Sequence, residues 1–224
     1  GRVPATHVWI SRNVSSVTAP SAPLTGSLAS MMSAPPSSAA DASMASRTLT
    51  SNFIAANVLF AAGTTNNARL GDTAGQALSL QGGTSTANNG RQITFNVSTL
   101  GFSNIVVSFA TQGTSTGFNS NQFQYSLDGV TFVDFGPAYT PATAFGSVPL
   151  VFTLTSVAGL NDNVNAAFRI VFNGASSATG TNRIDNFVVE GTASGVPEPT
   201  TAITLLSGLS VLYRWRKTRR AAGK

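Results

Sequence analysis

The chain has 224 residues, is 42% hydrophobic but only 9% charged, contains no cysteine and carries a formal net charge of +5. That length suits one domain with appendages, and the missing cysteine excludes a disulfide framework and thiolate chemistry. From Arg214 onward there are six basic residues and no acid, against seven basic and eight acidic residues in 1–213, so the body has no basic face and a nucleic-acid-binding role is set aside.

Residues 1–50 have scattered Pro, Ser and Ala with no sustained period and are expected to be low-complexity and poorly ordered, at least to Ala45. They hold the lone histidine, His7, so a Ser-His-Asp triad or a His-based zinc site would have to recruit an isolated donor from this stretch. A period-two pattern then runs through a domain placed at 51–192. Ile93, Phe95 and Val97 alternate with Thr94 and Asn96, and Ile105, Val107 and Phe109 follow a Gly-containing break. In QFQYSL, Phe123, Tyr125 and Leu127 share a face; Asp128-Gly129 then predicts a two-residue type I′ turn, with VTFVDF as the returning strand. Further strands are expected at 148–154, with Leu150, Phe152 and Leu154 on one side, at 166–172, with Phe168, Ile170 and Phe172 opposed to Arg169, and at 183–191. No helical period interrupts them, which predicts an all-β, antiparallel β-sandwich of jelly-roll type.

Few side chains suggest chemistry. Asp185 and Asn186, with Asp162 or Asp72, could offer oxygens to a structural Ca²⁺; the competing reading has Asp185 satisfy backbone N–H groups of a neighbouring loop. No other cofactor is expected. Of Phe118, Tyr125 and Tyr139, the last lies in the Pro-flanked loop GPAYTPATAFG and is expected to be exposed, which makes Tyr139 the candidate glycan contact; Tyr125 is expected in the core. Asp128 and Asp134 flank the hairpin, but turn chemistry accounts for Asp128, so a paired-carboxylate glycosidase reading is weak. Asn13 and Asn96 each begin an N-x-Ser triplet, a pattern that recurs by chance in Asn/Ser-rich chains.

After a linker at 193–199, no charge occurs in 200–213, and 214–224 is basic. Pro199 suits the first turn of a helix, and Glu198 complements its dipole. Fourteen residues span roughly 21 Å as a helix, short of the ~30 Å hydrocarbon core. The lead-in 196–199, Tyr213 and Trp215 at the interface, and snorkelling Arg214 and Arg216 narrow the gap. A single C-terminal transmembrane helix is therefore expected, with Arg214, Arg216, Lys217, Arg219 and Arg220 as a cytoplasmic stop-transfer cluster; a buried core helix with a solvated basic end is the alternative.

The order Val196-Pro197-Glu198-Pro199-Thr200-Thr201, then Leu205-Leu206-Ser207-Gly208-Leu209, then Tyr213-Arg214-Trp215-Arg216-Lys217 resembles the PEP-CTERM sorting signal of exported Gram-negative bacterial proteins. The resemblance covers about 25–29 residues in a three-part order more specific than Pro-Glu-Pro alone. It implies a transient inner-membrane anchor, processing by an exosortase near Pro197, Glu198 and Pro199, and a body presented at the cell surface or outside the cell. The body, notably ITFNVSTLGFSNIVVSFATQGTSTGFNSNQFQYSLDGVTFVDFG and FRIVFNGASSATGTNRIDNFVVEGT, is similar to sandwich domains that precede such signals. The implied partners are the exosortase, the lipid bilayer and exopolysaccharide. The resulting expectation is a non-enzymatic, surface-sorted protein acting in matrix, envelope or adhesion; the alternative is a secreted carbohydrate-active hydrolase, or its glycan-binding accessory module, with structural calcium.

Overall fold

The structure is a computed structural model that describes residues 6–10, 47–68 and 72–194. Eleven strands carry the described chain: β1 (Thr6–Ile10), β2 (Arg47–Ser51), β3 (Val58–Ala62), β4 (Gln76–Gln81), β5 (Arg91–Val97), β6 (Phe102–Gly113), β7 (Ser120–Ser126), β8 (Phe132–Asp134), β9 (Leu150–Thr153), β10 (Ala167–Asn173) and β11 (Thr181–Ala193). Helical geometry among the described residues is confined to three 3₁₀ turns of three residues each, and none is long and apolar enough to cross a membrane. The Pro197-Glu198-Pro199 motif, the expected transmembrane segment and the Arg/Lys cluster lie outside the described residues.

Every pairing is antiparallel. One sheet has the order β3-β4-β11-β6-β9, with β1 also on β11; the other has β2-β5-β10-β7-β8. The alternation of the sequence decides which face meets which. On β5, β7 and β10 the inward rows Ile93/Phe95/Val97, Phe123 and Phe168/Ile170/Phe172 are fully or almost fully buried. They meet the first sheet ring against ring: Phe123 stacks on Phe152 of β9 at 3.9 Å between centroids, and Phe109 of β6 lies 6.5 Å from Phe123. Leu150, Phe152 and Leu154 also point inward as expected, between exposed Val151 and Thr153. The described residues thus form an all-β, two-layer antiparallel sandwich closed by apolar burial.

Two expectations fail at the edges of this plan. First, the N-terminal stretch contributes two strands. β2 pairs with β5, and β1 pairs with residues 187–191 of β11. The reason lies in the partner: β6 holds one edge of β11 along its length, whereas β4 covers only Thr181–Ile184 of the other. Beyond Ile184 that edge offers unpaired N–H and C=O groups, and the β-branched and aromatic run Val8-Trp9-Ile10 is suited to a strand. Second, the hairpin is not a two-residue type I′ turn. β7 and β8 register as Ser126↔Phe132 and Gln124↔Asp134, leaving a five-residue connection, 127–131, in which Gly129 alone has positive φ. Asp128 acts as a local cap instead: its Oδ1 accepts from Val130 N at 2.8 Å, Thr131 N at 2.6 Å and Ser126 Oγ at 2.9 Å.

The ladder of β11 breaks between Asp185 and Val188, where residues 186 and 187 oppose Phe109 alone. Asn186 takes φ +48° in this bulge. The bulge falls where β4 gives way to β1, and the segment after β3 plugs the opening. Asp185 Oδ2 accepts from Thr64 N at 2.7 Å, and Asn186 Nδ2 donates to the carbonyls of Thr64 and Asn66 at 2.8 and 2.7 Å. Asn67 Nδ2 donates to the Asn186 carbonyl at 2.7 Å. Gly63 is required here, since a Cβ would lie 2.4 Å from both Asp185 Oδ2 and the Ala74 carbonyl.

Candidate functional site

Asp185 and Asp162 do not form an ion site. Asp185 is 6% exposed, and its second oxygen accepts from Asn186 N at 2.9 Å, so both carboxylate oxygens serve backbone N–H groups. Burial pushes its pKa up to about 6, against the opposing pull of the Thr64 and Asn186 N–H bonds. Asp162 Oδ1 accepts from Gly101 N at 2.7 Å, and its own N–H binds Phe102 O at the start of β6. Asp185 instead pairs with Ala110, eight residues further along that strand, which separates the two carboxylates by about 27 Å. Asp72 is exposed, and no group of three or more His, Cys, Asp or Glu side chains able to hold a metal occurs among the described residues. The calcium expectation for Asp185 with Asp162 is corrected accordingly.

The expected exposure of Tyr139 is corrected too. Its backbone bridges Asn121 with bonds of 2.9 and 2.8 Å, and this draws the ring inward, 6.2 Å from Phe109 and 6.3 Å from Phe152. The hydroxyl is buried without a hydrogen-bond partner, and burial pushes the phenol far above its ordinary pKa. Phe118 is 1% exposed, within an edge-to-face group with Phe53 and Phe172. Tyr125 packs against Phe135 on the inward side, in line with its expected place. None of the three forms an outward platform.

The outward face of the second sheet carries a different set of residues. Opposite the buried Phe168, Ile170 and Phe172, Arg169 projects outward with its guanidinium carbon 3.9 Å above the Phe132 ring. Arg169 Nε donates to Gln124 Oε1, and Gln124 Nε2 donates to Asp134 Oδ1 at 2.6 Å. Burial draws the Arg169 pKa down while the Asp134 charge resists. One cation and one anion are thus joined through an amide. Along the same face Gln122 donates to the carbonyls of Phe123 and Gly136, and Asn96 donates to Thr48 Oγ1 at 2.9 Å. Gln92 and Thr94 continue the outward row of β5. At its end the face opens into a depression of about 160 Å³ lined by Asn96, Ser98, Asp128, Gly129, Val164 and Asn165.

Chemically this strip is an array of amides and hydroxyls, with Val171 set between Gln92 and Gln122 and the Arg169 and Asp134 charges balancing, around one partly exposed aromatic ring. It has little capacity for acid–base chemistry. The three bonds to Asp128 hold its carboxyl well below the usual carboxylate range, the opposite of what a catalytic acid requires. Asp185, whose carboxyl is raised in pKa by burial, is enclosed in the bulge away from this strip. Sequence reasoning missed Phe132, Gln122, Gln124 and Arg169 as a group because a two-residue turn would have set Phe132 opposite Tyr125 on the inward face.

These features define an all-β sandwich with a polar, near-neutral outer face. No family model matches the chain, and no curated protein does. Solved structures with partial likeness include TmCBM61 in complex with β-1,4-galactotriose, at 12% identity, covering 67% of this chain and 91% of that one with a TM-score of 0.40. The CBM22-1 xylan-binding domain of Paenibacillus barcinonensis Xyn10C is 11% identical over 66% and 87% of the two chains, TM-score 0.40. The K2 cleaved adhesin domain of Lys-gingipain is 10% identical over 67% and 91%, TM-score 0.40. Likenesses of this degree decide nothing about what the present chain binds.

Proposed function

We propose that this chain is a non-enzymatic, exported protein whose sandwich binds a neutral polysaccharide on the outward face of the second sheet. The carrying observation is the Arg169–Phe132–Gln124–Asp134 constellation within its row of Gln, Asn and Thr side chains. A polyhydroxylated ligand needs dense donors and acceptors and a flat apolar surface for a sugar ring. It needs no net charge, and here Arg169 and Asp134 cancel. The orders β4-β11-β6-β9 and β5-β10-β7-β8 support reading the body as a jelly roll. The test is affinity electrophoresis of the full chain in gels containing dextran, galactomannan, hydroxyethylcellulose or the acidic polysaccharide alginate. Retardation is expected in at least one neutral gel and lost in Arg169→Ala and Gln124→Ala variants. Retardation in alginate alone, or unchanged retardation of both variants, overturns the proposal.

The Pro197-Glu198-Pro199 motif, the uncharged run 200–213 and the basic end support a second element of this function: sorting through a transient membrane anchor cut by an exosortase, with release to the cell surface. Mass spectrometry of extracellular material from an exosortase-bearing host is expected to find chains truncated near the motif. Extracellular chains still ending in Lys224 would contradict it.

A further inference from the structure

The two ends of the sandwich differ. At one end, the connection 98–101 after β5, the hairpin loop 127–131 and the segment 157–166 before β10 are stitched together. Thr99 N donates to Asn163 O at 2.8 Å, and Asn163 Nδ2 donates to Leu127 O at 3.0 Å. Their tips leave Leu100 57%, Leu127 43%, Val130 81% and Val164 62% exposed. The opposite end, built from 52–57, 82–90, 114–119 and 174–180, exposes a single large hydrophobic residue among the described residues, Ile54 at 39%, whose N–H is bonded to Asn88 Oδ1. Its other tips are Gly, Ser, Thr, Ala and Asn around a buried Phe118. Folding alone gives no reason for four aliphatic tips to gather at one end.

The chain leaves the sandwich at the apolar end. Ala193, the last residue of β11, pairs with Phe102 beside the 98–101 connection. From Ser194 to Thr200, where the uncharged run begins, there are six Cα steps, at most about 20 Å when fully extended. β6 alone, with twelve residues, is about 40 Å long. A tether shorter than the domain, leaving from one end, keeps that end near whatever holds the run 200–213.

We propose that the Leu100, Leu127, Val130 and Val164 tips form a lipid-docking surface that seats the apolar end of the sandwich in the headgroup region of the membrane before release. This rests on the reading of 200–213 as a membrane anchor. The lipid is neutral in charge, because 98–101, 127–131 and 157–166 contain no Lys or Arg and two acids, Asp128 and Asp162. Both acids accept backbone N–H bonds, so aliphatic burial rather than attraction to anionic headgroups supplies the contact. Cleavage near Pro197-Glu198-Pro199 would remove the tether and leave only this weak contact, so docking before the cut and detachment after it are compatible.

The absence of cysteine makes single-site labelling straightforward. Full-length Val130→Cys, Val164→Cys and, at the opposite end, Ser115→Cys variants carry a nitroxide and are reconstituted into phosphatidylcholine vesicles. Accessibility to oxygen and to a water-soluble nickel chelate is then read by power saturation. The ratio of oxygen to chelate collisions is expected to be at least about threefold higher at positions 130 and 164 than at 115, as for side chains at the headgroup–acyl boundary. It should not change when phosphatidylglycerol is added. Equal ratios at all three positions in vesicle-bound protein overturn the docking surface while leaving the anchor standing. Immersion that needs anionic lipid also overturns it, and a chain that fails to sediment with vesicles overturns the anchor and the docking surface together.

Discussion

Replacing Asp185 with Asn should remove a defined pH dependence of stability. Asp185 is 6% exposed and its pKa is pushed up to about 6 from the ordinary 3.8, chiefly by desolvation. A gap of roughly 2 between folded and unfolded values corresponds to about 3 kcal/mol. The folded state holds this proton more tightly than the unfolded chain does. The contribution is therefore fully present below pH 3.8 and is lost as pH rises through about 6. Asp128 works in the opposite sense, since its lowered pKa adds stability above 3.8 that is lost in acid. Comparison with the Asn variant cancels that term. Urea unfolding of wild type and Asp185→Asn, followed by circular dichroism at pH 3.5, 5 and 7.5, measures the difference. The wild type should lose about 3 kcal/mol relative to the variant between the lowest and highest pH. Parallel pH profiles for the two proteins would refute burial as the cause and place solvent at the bulge.

Two further substitutions probe the packing. Tyr139→Phe removes a buried hydroxyl that has no partner and should raise stability by about 1 kcal/mol, read from the urea midpoint; a loss of that size would mean the hydroxyl is hydrogen-bonded. Gly180→Ala places a Cβ 2.0 Å from Thr116 O and 2.8 Å from Gly117 N, both backbone atoms. It should cost at least about 2 kcal/mol, and a thermal midpoint within a degree of wild type would contradict that tight approach.

Much of the fold was legible because burial imposes period two on strands. Ile93/Phe95/Val97 and Phe168/Ile170/Phe172 announce their inward faces, and both rows are in the core. Pairing partners are set by chain contacts far apart in sequence, so the bulge at Asn186 and the docking of β1 on the vacant edge of β11 were not readable locally. The proposed binding face was hidden by one register step. With a two-residue turn Phe132 would oppose Tyr125, but the five-residue connection sets it opposite Ser126, and a one-residue slip exchanges the faces of a strand. Tyr139 misled because its loop is polar and Pro-flanked, whereas its backbone bridge to Asn121 turns the ring into the core.

Hydroxyl-radical footprinting of the full chain with and without a retarding neutral polysaccharide reads whether a glycan covers the outward face of the second sheet. Phe132 is the one aromatic ring on the outward face of the second sheet among the described residues. Its oxidation should fall by at least about threefold with the polysaccharide, as for a ring covered by a sugar, while Val148, 76% exposed in the connection before β9, keeps its rate. Unchanged oxidation at Phe132 in the polysaccharide-bound protein would contradict binding on that face.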